Sequence, residues 1–520
     1  MKNLPVLDLI VIAIYLIGMM CTGIYFSRKN KNADQFTKAS GQIPGWAVGL
    51  SLYATFLSSN TFIGVPGKSF GTNWNYFVLS LSLPLAALVA SKYFIPFYRS
   101  SGSVSAYTHL EHRFGVWART YAVVCFLLTQ LARMGSIFFG IALTLQALTG
   151  YHLAAIMWVM GICIIFYTVL GGMEAVIWTE VVQAVIKTAG AIIILILIIN
   201  DMPGGVSRII EIGQQDNKFG LGSFSPIFTE STFWVVLAYG FFINLNNYGI
   251  DQNYVQRYHT ATSAKAASRA LWLSVWMYVV VSFLFFIIGT CLYAYYQAHP
   301  EFDEALKMQF ARDRLPVGAS ADEISRLAAS LTPADYGDKA LPHFMVNKVP
   351  PGLVGIIISA LLSASMSTIS SSMNASATVF SVDIYKRYFN PHVTDKQSLF
   401  VLHAGTVVCG LLGLGTGIAF IGVKSLLDIW WQLAGIFAGG VLGLFLLGIA
   451  TRTTKNTEAV IATMIGVAVI LWMTFSGSFP EKYAYLRSPF HTNMVLVVGT
   501  LTLFLTGVLI TAAKRKLKHA

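Results

Sequence analysis

Charged residues are scarce in this sequence. Only 11% of its 520 residues are Asp, Glu, Lys or Arg, and 55% are hydrophobic, whereas a soluble domain carries roughly 25% charged residues. This composition excludes a cytosolic globular protein. Apolar runs of about 20 residues recur along the whole chain, and each is long enough to cross a bilayer as a helix. The sequence therefore predicts an all-α integral membrane protein.

The sequence also lacks the motifs of common enzymes and ATP-driven pumps. It contains no HExxH, P-loop or paired CxxC motif, which argues against a zinc protease, an ATPase or a redox enzyme. The five cysteines lie within apolar runs, and their spacing does not suit a metal, so we expect reduced packing residues. They are Cys21, Cys125, Cys163, Cys291 and Cys409. We predict that the protein is not an enzyme.

About thirteen segments are predicted to span the membrane. They lie at 6–26, 45–70, 74–97, 119–148, 152–170, 176–200, 231–256, 270–296, 345–381, 397–421, 425–450, 458–477 and 490–513. The net charge of +12 comes from basic residues in alternate short loops and in the C-terminal tail, so it indicates topology rather than nucleic-acid binding. This pattern predicts a multi-pass protein of the plasma (inner) membrane, with the N-terminus outside and the C-terminus in the cytoplasm.

Two of the predicted spans carry amides and helix-breaking residues at their centres. The second contains SSNTFIGVPG at 58–67, and the seventh contains NLNNYGIDQ at 244–252. Non-helical backbone at membrane depth is tolerated only where it lines a cavity. The alternative is that Gly and Pro merely bend these helices, but this leaves the clustered amides unexplained. We therefore predict two broken helices.

The second and seventh spans each open a group of five helices. Because five is odd, the two groups insert in opposite directions, which is the pattern of an inverted repeat with a solute site near the bilayer midplane. The extracellular loop at 297–344 is either a small cap or a flexible excursion. The predicted units are a first span with its loop (1–44), a first repeat (45–200), an extracellular connection (201–230), a second repeat (231–450), and two spans with a basic tail (451–520).

The ninth predicted span contains a run of hydroxyl side chains, SMSTISSSMNAS. Helical spacing places Ser367, Ser370 and Ser371 on one face. Sodium prefers oxygen ligands, and a break in the second span would expose carbonyls near Ala54 and Leu57 that face this ladder. The alternative is that the hydroxyls bond to carbonyls one turn earlier and allow close helix packing.

In several of its motifs the sequence resembles the sodium/solute symporter family, which includes sodium–sugar, sodium–proline and sodium–sialic acid carriers. The motifs are YTVLGGMEAVIWTEVVQ at 167–183, DQNYVQRY at 251–258, and STISSSMN with VDIYKR within 367–387. The resemblance extends from the first span to the eleventh. It implies an inverted five-helix-repeat (LeuT-like) core that works by alternating access. The implied partners are a small solute, Na+ and the lipid bilayer, with no nucleic acid and no obligate protein partner.

The same resemblance implies two sets of sodium ligands. The main site would use carbonyls and hydroxyls of Ala54, Leu57, Ala364, Ser367 and Thr368. Some members bind a second sodium with the equivalents of Ser370, Ser371 and an Asp after the Trp-Thr pair. In this chain that acid is Glu180, which is one methylene longer, so the second site stays open. The alternative for Glu180 is a carboxylate that reaches water at the cytoplasmic end.

Arg133 is the clearest indication of the solute's chemistry. It lies roughly 20 Å along the fourth span from Arg119, at 1.5 Å per residue, and is too deep for easy snorkelling. A buried Arg costs at least about 2.5–3.5 kcal/mol, and its planar guanidinium suits a carboxylate. Sialic acid carriers of the family that this chain resembles have Arg at the matching position. The alternative is a structural pairing with a buried acid or with free carbonyls.

Other polar residues do not agree on one solute. Phe56 and Ser80 replace Thr and Gln of the sialic acid carriers, whereas Gln432 and Asn244 are similar to hydroxyl-binding residues of the sodium–sugar carriers. Bonding between helices is the alternative for Gln432 and Asn244. The predicted solute-binding residues are Ser58, Ser59, Thr61, Ser80, Arg133, Asn244, Asn247 and Gln432.

Together these features predict a sodium-coupled importer of a small polar solute. A carboxylated or N-acetylated sugar such as sialic acid reconciles them best, and a neutral hexose or another organic solute is the alternative. A membrane sensor that binds solute without transporting it is the alternative from a different class. An ion channel is disfavoured because clustered amides suit solute binding.

Overall fold

The computed structural model describes residues 4–27, 32–316, 318–421 and 426–519. Within these ranges the secondary structure is helical, and the bridge between Ile43 and Ala261 is the one extended pairing there. The α-helices are α1 (Val6–Ser27), α2 (Ala33–Lys38), α3 (Gly45–Phe56), α4 (Ser59–Gly71), α5 (Phe77–Leu81), α6 (Leu83–Val89), α7 (Ile95–Ser101), α8 (Thr108–Phe114), α9 (Val116–Thr149), α10 (Leu153–Asp201), α11 (Gly205–Gln215), α12 (Phe233–Ile250), α13 (Gln252–Thr260), α14 (Ala264–Ala298), α15 (Pro300–Arg314), α16 (Ala321–Ser330), α17 (Pro333–Lys348), α18 (Leu353–Val379), α19 (Asp395–Ala419), α20 (Leu426–Ala450), α21 (Asn456–Phe475) and α22 (Met494–His519).

Many of these helices are suited to a membrane. Among the described residues, nine helical segments are long and apolar enough to span one, or ten if the bent pair α3–α4 counts as one span. One of the nine is α10, which Gly172 interrupts with φ 56° and ψ −158°. A residue with a side chain rarely adopts such a positive φ, so this glycine separates the predicted fifth and sixth spans. The count of thirteen spans stays a prediction.

Both predicted helix breaks are present. The axes of α3 and α4 differ by 59°, and Leu57 between them has extended backbone. α12 and α13 are separated by Asp251, which is also extended. The side chains of Ser58 and Asp251 accept hydrogen bonds from backbone N–H groups of the helices that follow. Each break therefore ends one helix and begins another, and the pair α3–α4 is apolar enough to form a single broken span.

The hydroxyl-rich helix α18 lies at the centre of the bundle. In its apolar window 89% of the residues are buried inside the protein, against 22% for α1. It packs against α10, α19, α9 and α1, and it reaches α3 beside the first break. The hydroxyls of Ser359, Ser363 and Ser365 donate to carbonyls one turn earlier. The packing alternative therefore describes these three and also Ser370, which donates to Ser367 O. Ser367, Thr368 and Ser371 bond to such carbonyls as well, but they also have partners on other helices.

The predicted extracellular loop forms a cap of three helices, α15 to α17. Side-chain capping boxes begin α16 at Ser320 and α17 at Thr332. A Cβ atom on Gly337 of α17 would clash with the carbonyl oxygen of Gly67 in α4, so the two backbones are in direct contact. Of the two alternatives for this loop, the structure has the cap. The next long helix begins at Leu353 rather than at 345.

Candidate functional site

A cavity of about 190 Å³ lies where the two breaks meet. Phe56 lines it from the first break and Asp251 from the second, and side chains of α4, α5, α9, α12 and α14 form most of the remaining wall. Six of the eight predicted solute-binding residues line this cavity, namely Ser58, Thr61, Ser80, Arg133, Asn244 and Asn247. The cavity therefore gathers hydroxyl, amide and guanidinium groups against aromatic rings.

Two predicted solute residues are not among those that line this cavity. Ser59 faces a neighbouring cavity of about 130 Å³ beside α17, where Tyr336 and Asp338 form part of the wall. The reason is geometric, since consecutive residues of a helix point about 100° apart and Ser58 already faces the first cavity. The side chain of Gln432 lies outside the described residues, so its predicted role is not placed.

Arg133 lies between the cavity and the first helix break. Its Nη2 donates to the carbonyl oxygen of Thr55 at 3.1 Å. The carboxylate of Asp251 attracts its charge, and the Tyr254 hydroxyl lies beside it. The structure is thus compatible with both readings of Arg133. Its guanidinium bonds to a main-chain carbonyl, as a structural residue would, and it also lines the cavity, where a solute carboxylate could reach it.

The amide and hydroxyl groups opposite also join helices. Asn244 Nδ2 donates to Leu79 O at 3.2 Å and to Ser82 Oγ at 3.0 Å. Ser80 Oγ lies 2.7 Å from Ser282 Oγ. The alternative of bonding between helices is therefore present for Asn244, although its side chain still lines the cavity.

The five predicted main sodium ligands meet at the first break. Ser367 Oγ donates to Ala54 O at 3.0 Å and to Ala364 O at 3.2 Å. Thr368 Oγ1 lies 3.3 Å from Ala364 O, and Leu57 presents its carbonyl from the other side. The carbonyl end of a helix carries partial negative charge, and half-helix ends of this kind coordinate cations in transporters. The donor chemistry fits a monovalent cation.

A lysine side chain lies among these oxygens. Lys187 Nζ donates to Ala54 O at 2.7 Å, to Leu57 O at 3.0 Å and to Ser367 Oγ at 3.2 Å. Its side chain is fully buried, and Nζ lies 5.7 Å from the centre of the Tyr53 ring. This lysine was not among the predicted site residues, although a charged residue within an apolar run such as AVIKTAGAIIILILII is usually functional.

The predicted second sodium set is only partly assembled. Ser371 Oγ donates to Glu180 Oε1, whereas Ser370 Oγ donates to the carbonyl of Ser367 at 3.2 Å. Arg257 Nη2 lies 2.8 Å from both Glu180 oxygens. Glu180 is fully buried, so the alternative that its carboxylate reaches water is wrong. The role of Arg257 was not predicted, although it belongs to the DQNYVQRY motif.

These features define a class of protein. A bundle of apolar helices with two helix breaks at one cavity, and with a helix end beside it whose carbonyls lack helical partners, is the architecture of a secondary transporter. The protein is accordingly a multi-pass membrane transporter and not an enzyme.

The chain belongs to the sodium:solute symporter family, whose sequence profile matches residues 36–466. It is 32% identical to the sodium/sialic acid symporter NanT of Aliivibrio fischeri (strain ATCC 700601 / ES114), over 96% of this chain and 94% of that protein. It is 31% identical to the sodium/sialic acid symporter SiaT of Proteus mirabilis (strain HI4320), over 94% and 93%. The structure of a substrate-bound, outward-open Na+-coupled sialic acid symporter covers 98% of both chains, with a TM-score of 0.84 and 29% identity. The family resemblance is confirmed.

Proposed function

We propose that this protein imports sialic acid, or a closely related carboxylated sugar, together with sodium by alternating access. The observation that carries the proposal is the guanidinium of Arg133 in the wall of a cavity rich in hydroxyls and amides. The proposed setting is the plasma (inner) membrane with the N-terminus outside, which the basic residues in alternate loops support.

The charge of Arg133 suits the solute's carboxylate. A guanidinium forms two parallel hydrogen bonds to a carboxylate, and bonds to charged groups contribute about 1.5–3 kcal/mol each. The solute would take over the donor that Thr55 engages in its absence. The hydroxyls of Ser58, Thr61 and Ser80 would face the sugar's own hydroxyls. Two relatives named as sialic acid symporters, each aligned over nearly the whole chain, support this choice.

Sodium supplies the driving force in this proposal. A sodium ion that moves through 100 mV contributes about 2.3 kcal/mol, in addition to its concentration gradient. Because the cation-binding helix end adjoins the solute cavity at Phe56 and Ser58, each ligand is expected to raise the affinity for the other. This coupling is reciprocal by thermodynamic necessity.

Uptake of labelled sialic acid into proteoliposomes tests the proposal. With sodium outside, we expect accumulation that stops when the sodium gradient is collapsed. Arg133→Ala is expected to lower affinity by at least roughly 10- to 150-fold, which is the loss of a single charged hydrogen bond. Arg133→Lys keeps the charge but not the planar fork, so its loss should be intermediate.

Arg208→Ala is the matched control, since Arg208 lies on α11 and pairs with Glu211. Equal losses in Arg133→Ala and Arg208→Ala would contradict the carboxylate assignment. Uptake of neutral hexose in preference to the acid would favour the alternative solute. Binding without any uptake would favour a sensor, and accumulation that ignores the sodium gradient would end the coupling claim.

A further inference from the structure

We infer that Lys187 is a built-in occupant of the main cation site, so that its ammonium group and a sodium ion exclude each other there. This goes beyond the proposed function and does not depend on the identity of the solute. The family resemblance predicts sodium between Ala54, Leu57 and Ser367, and Lys187 Nζ bonds to all three residues.

The bonding of Lys187 is complete. An ammonium group has three protons and accepts no hydrogen bond, and three oxygens lie within 3.2 Å of Nζ. Two of these are main-chain carbonyls at the C-terminal end of α3. Because the helix ends at Phe56, no following helical turn supplies N–H groups to pair with them. The ammonium thus supplies to this helix end what a bound cation would supply.

Two groups near Lys187 attract a positive charge and offset part of the cost of burying it. The negative end of the α3 dipole points toward Nζ, and the Glu180 carboxylate, seven residues earlier on α10, attracts it. That carboxylate already bonds to Arg257 and Ser371, and the hydrogen bonds of Lys187 go instead to the predicted sodium ligands. A charge this deep in a membrane protein needs such partners.

The ammonium and a sodium ion are alternatives for steric and electrostatic reasons. Both need the carbonyls of Ala54 and Leu57, and a second cation within bonding distance of the same oxygens would be repelled. Sodium therefore enters the main site only after the ammonium group of Lys187 has left it, which requires a change of side-chain conformation while the backbone stays in α10. The apparent dissociation constant for sodium then equals the intrinsic constant divided by the fraction of molecules in which the lysine has left the site.

A sodium titration of the purified full-length protein, without solute, tests this inference. Sodium replaces choline at constant ionic strength, and the readouts are tryptophan fluorescence and melting temperature. If the ammonium occupies the site in about 90% of molecules, Lys187→Met lowers the half-saturating sodium concentration at least about tenfold. Adding Ser367→Ala to Lys187→Met removes a ligand and is expected to reverse the gain.

Lys218→Met is the matched control. Lys218 Nζ also donates to carbonyls at a helix end, those of Phe70 at 2.7 Å and Thr72 at 2.9 Å, but it lies outside the cation site. Its sodium titration should equal that of the native protein. Lys187→Gln, which keeps an N–H donor for the carbonyls, is the second variant if Lys187→Met does not fold.

Identical titrations of the native protein and both Lys187 variants would overturn the inference. A weaker sodium response in those variants would also overturn it, since the lysine would then assist sodium binding. Because solute is absent, the result is independent of the uptake experiment. If the Arg133 prediction fails while the Lys187 variants gain sodium affinity, the proposed solute falls and this inference stands.

Discussion

The two broken helices have matching positions in the two predicted repeats, but their free carbonyls have different partners. At the first break, Lys187 donates to the carbonyls of Ala54 and Leu57, and Arg133 donates to that of Thr55. Two positive charges therefore converge on the carbonyl end of α3. This is the end of a helix where partial negative charge collects.

At the second break neutral phenols take this role. The Tyr258 hydroxyl donates to Tyr248 O at 2.8 Å, and the Tyr98 hydroxyl donates to Gly249 O at 2.7 Å. Asp251 caps the helix that follows, with its carboxylate 2.8 Å from the N–H of Asn253. In both repeats the interrupted helix thus leaves carbonyls without a helical N–H partner. The side chains that bond to these carbonyls decide which break attracts cations.

Arg257 joins the two breaks, and removing it is expected to have the largest effect. It extends from α13 to Glu180 and also donates to Ser51 Oγ of α3 at 2.8 Å. Arg257→Met leaves a buried carboxylate without its cation, which costs about 3–5 kcal/mol. We expect a large fall in melting temperature, measured in detergent. Combining it with Glu180→Gln should restore much of the loss, and a double variant as unstable as the single one would contradict this account.

A smaller effect is expected from the phenol at the second break. Tyr258→Phe leaves the Tyr248 carbonyl buried without that donor, at a cost of about 1–3 kcal/mol. The sodium titration should stay unchanged, because the cation site belongs to the first break. Tyr151→Phe, at an exposed position, is the control for melting. A shifted sodium response in Tyr258→Phe would mean that the two breaks are not chemically separate.

The smallest effect is expected at the cap of α4. Ser58 Oγ accepts from the N–H of Thr61 at 3.4 Å, a long bond for an N-cap. Ser58→Ala should cost about 1 kcal/mol and Ser58→Gly only a few tenths. Chemical denaturation in detergent can rank the two variants. If Ser58→Gly were the less stable, the serine would act through something other than its cap.

The sequence predicts the breaks better than it predicts the side chains that meet them. Gly, Pro and Asn at membrane depth have few explanations, so both interruptions were predictable from residue type. The position of Lys187 opposite Ala54 depends instead on which face of α10 packs against α3 and α18. That rotation is decided by close packing between distant segments, as at Gly190 of α10, where a Cβ would clash with Ala360 of α18.

The same limit explains Ser59 and Glu180. Ser58 and Ser59 are neighbours of one residue type, yet the start of α4 sends their side chains to separate cavities. The buried Glu180 is matched by an arginine 77 residues further along the chain. The residue at which a helix begins, and the pairing of side chains that are far apart in the chain, leave no periodic pattern in the sequence.

The contact between Gly67 and Gly337 has a consequence for how the transporter can be observed. With no side chain between the backbones and extensive packing of α17 on α4, we expect the cap to move together with the first broken helix. A fluorophore at the exposed Ser325 of α16, which packs against α15 of the same cap, would then follow the motion of the cap. The turnover of single molecules would become readable without a label inside the bilayer.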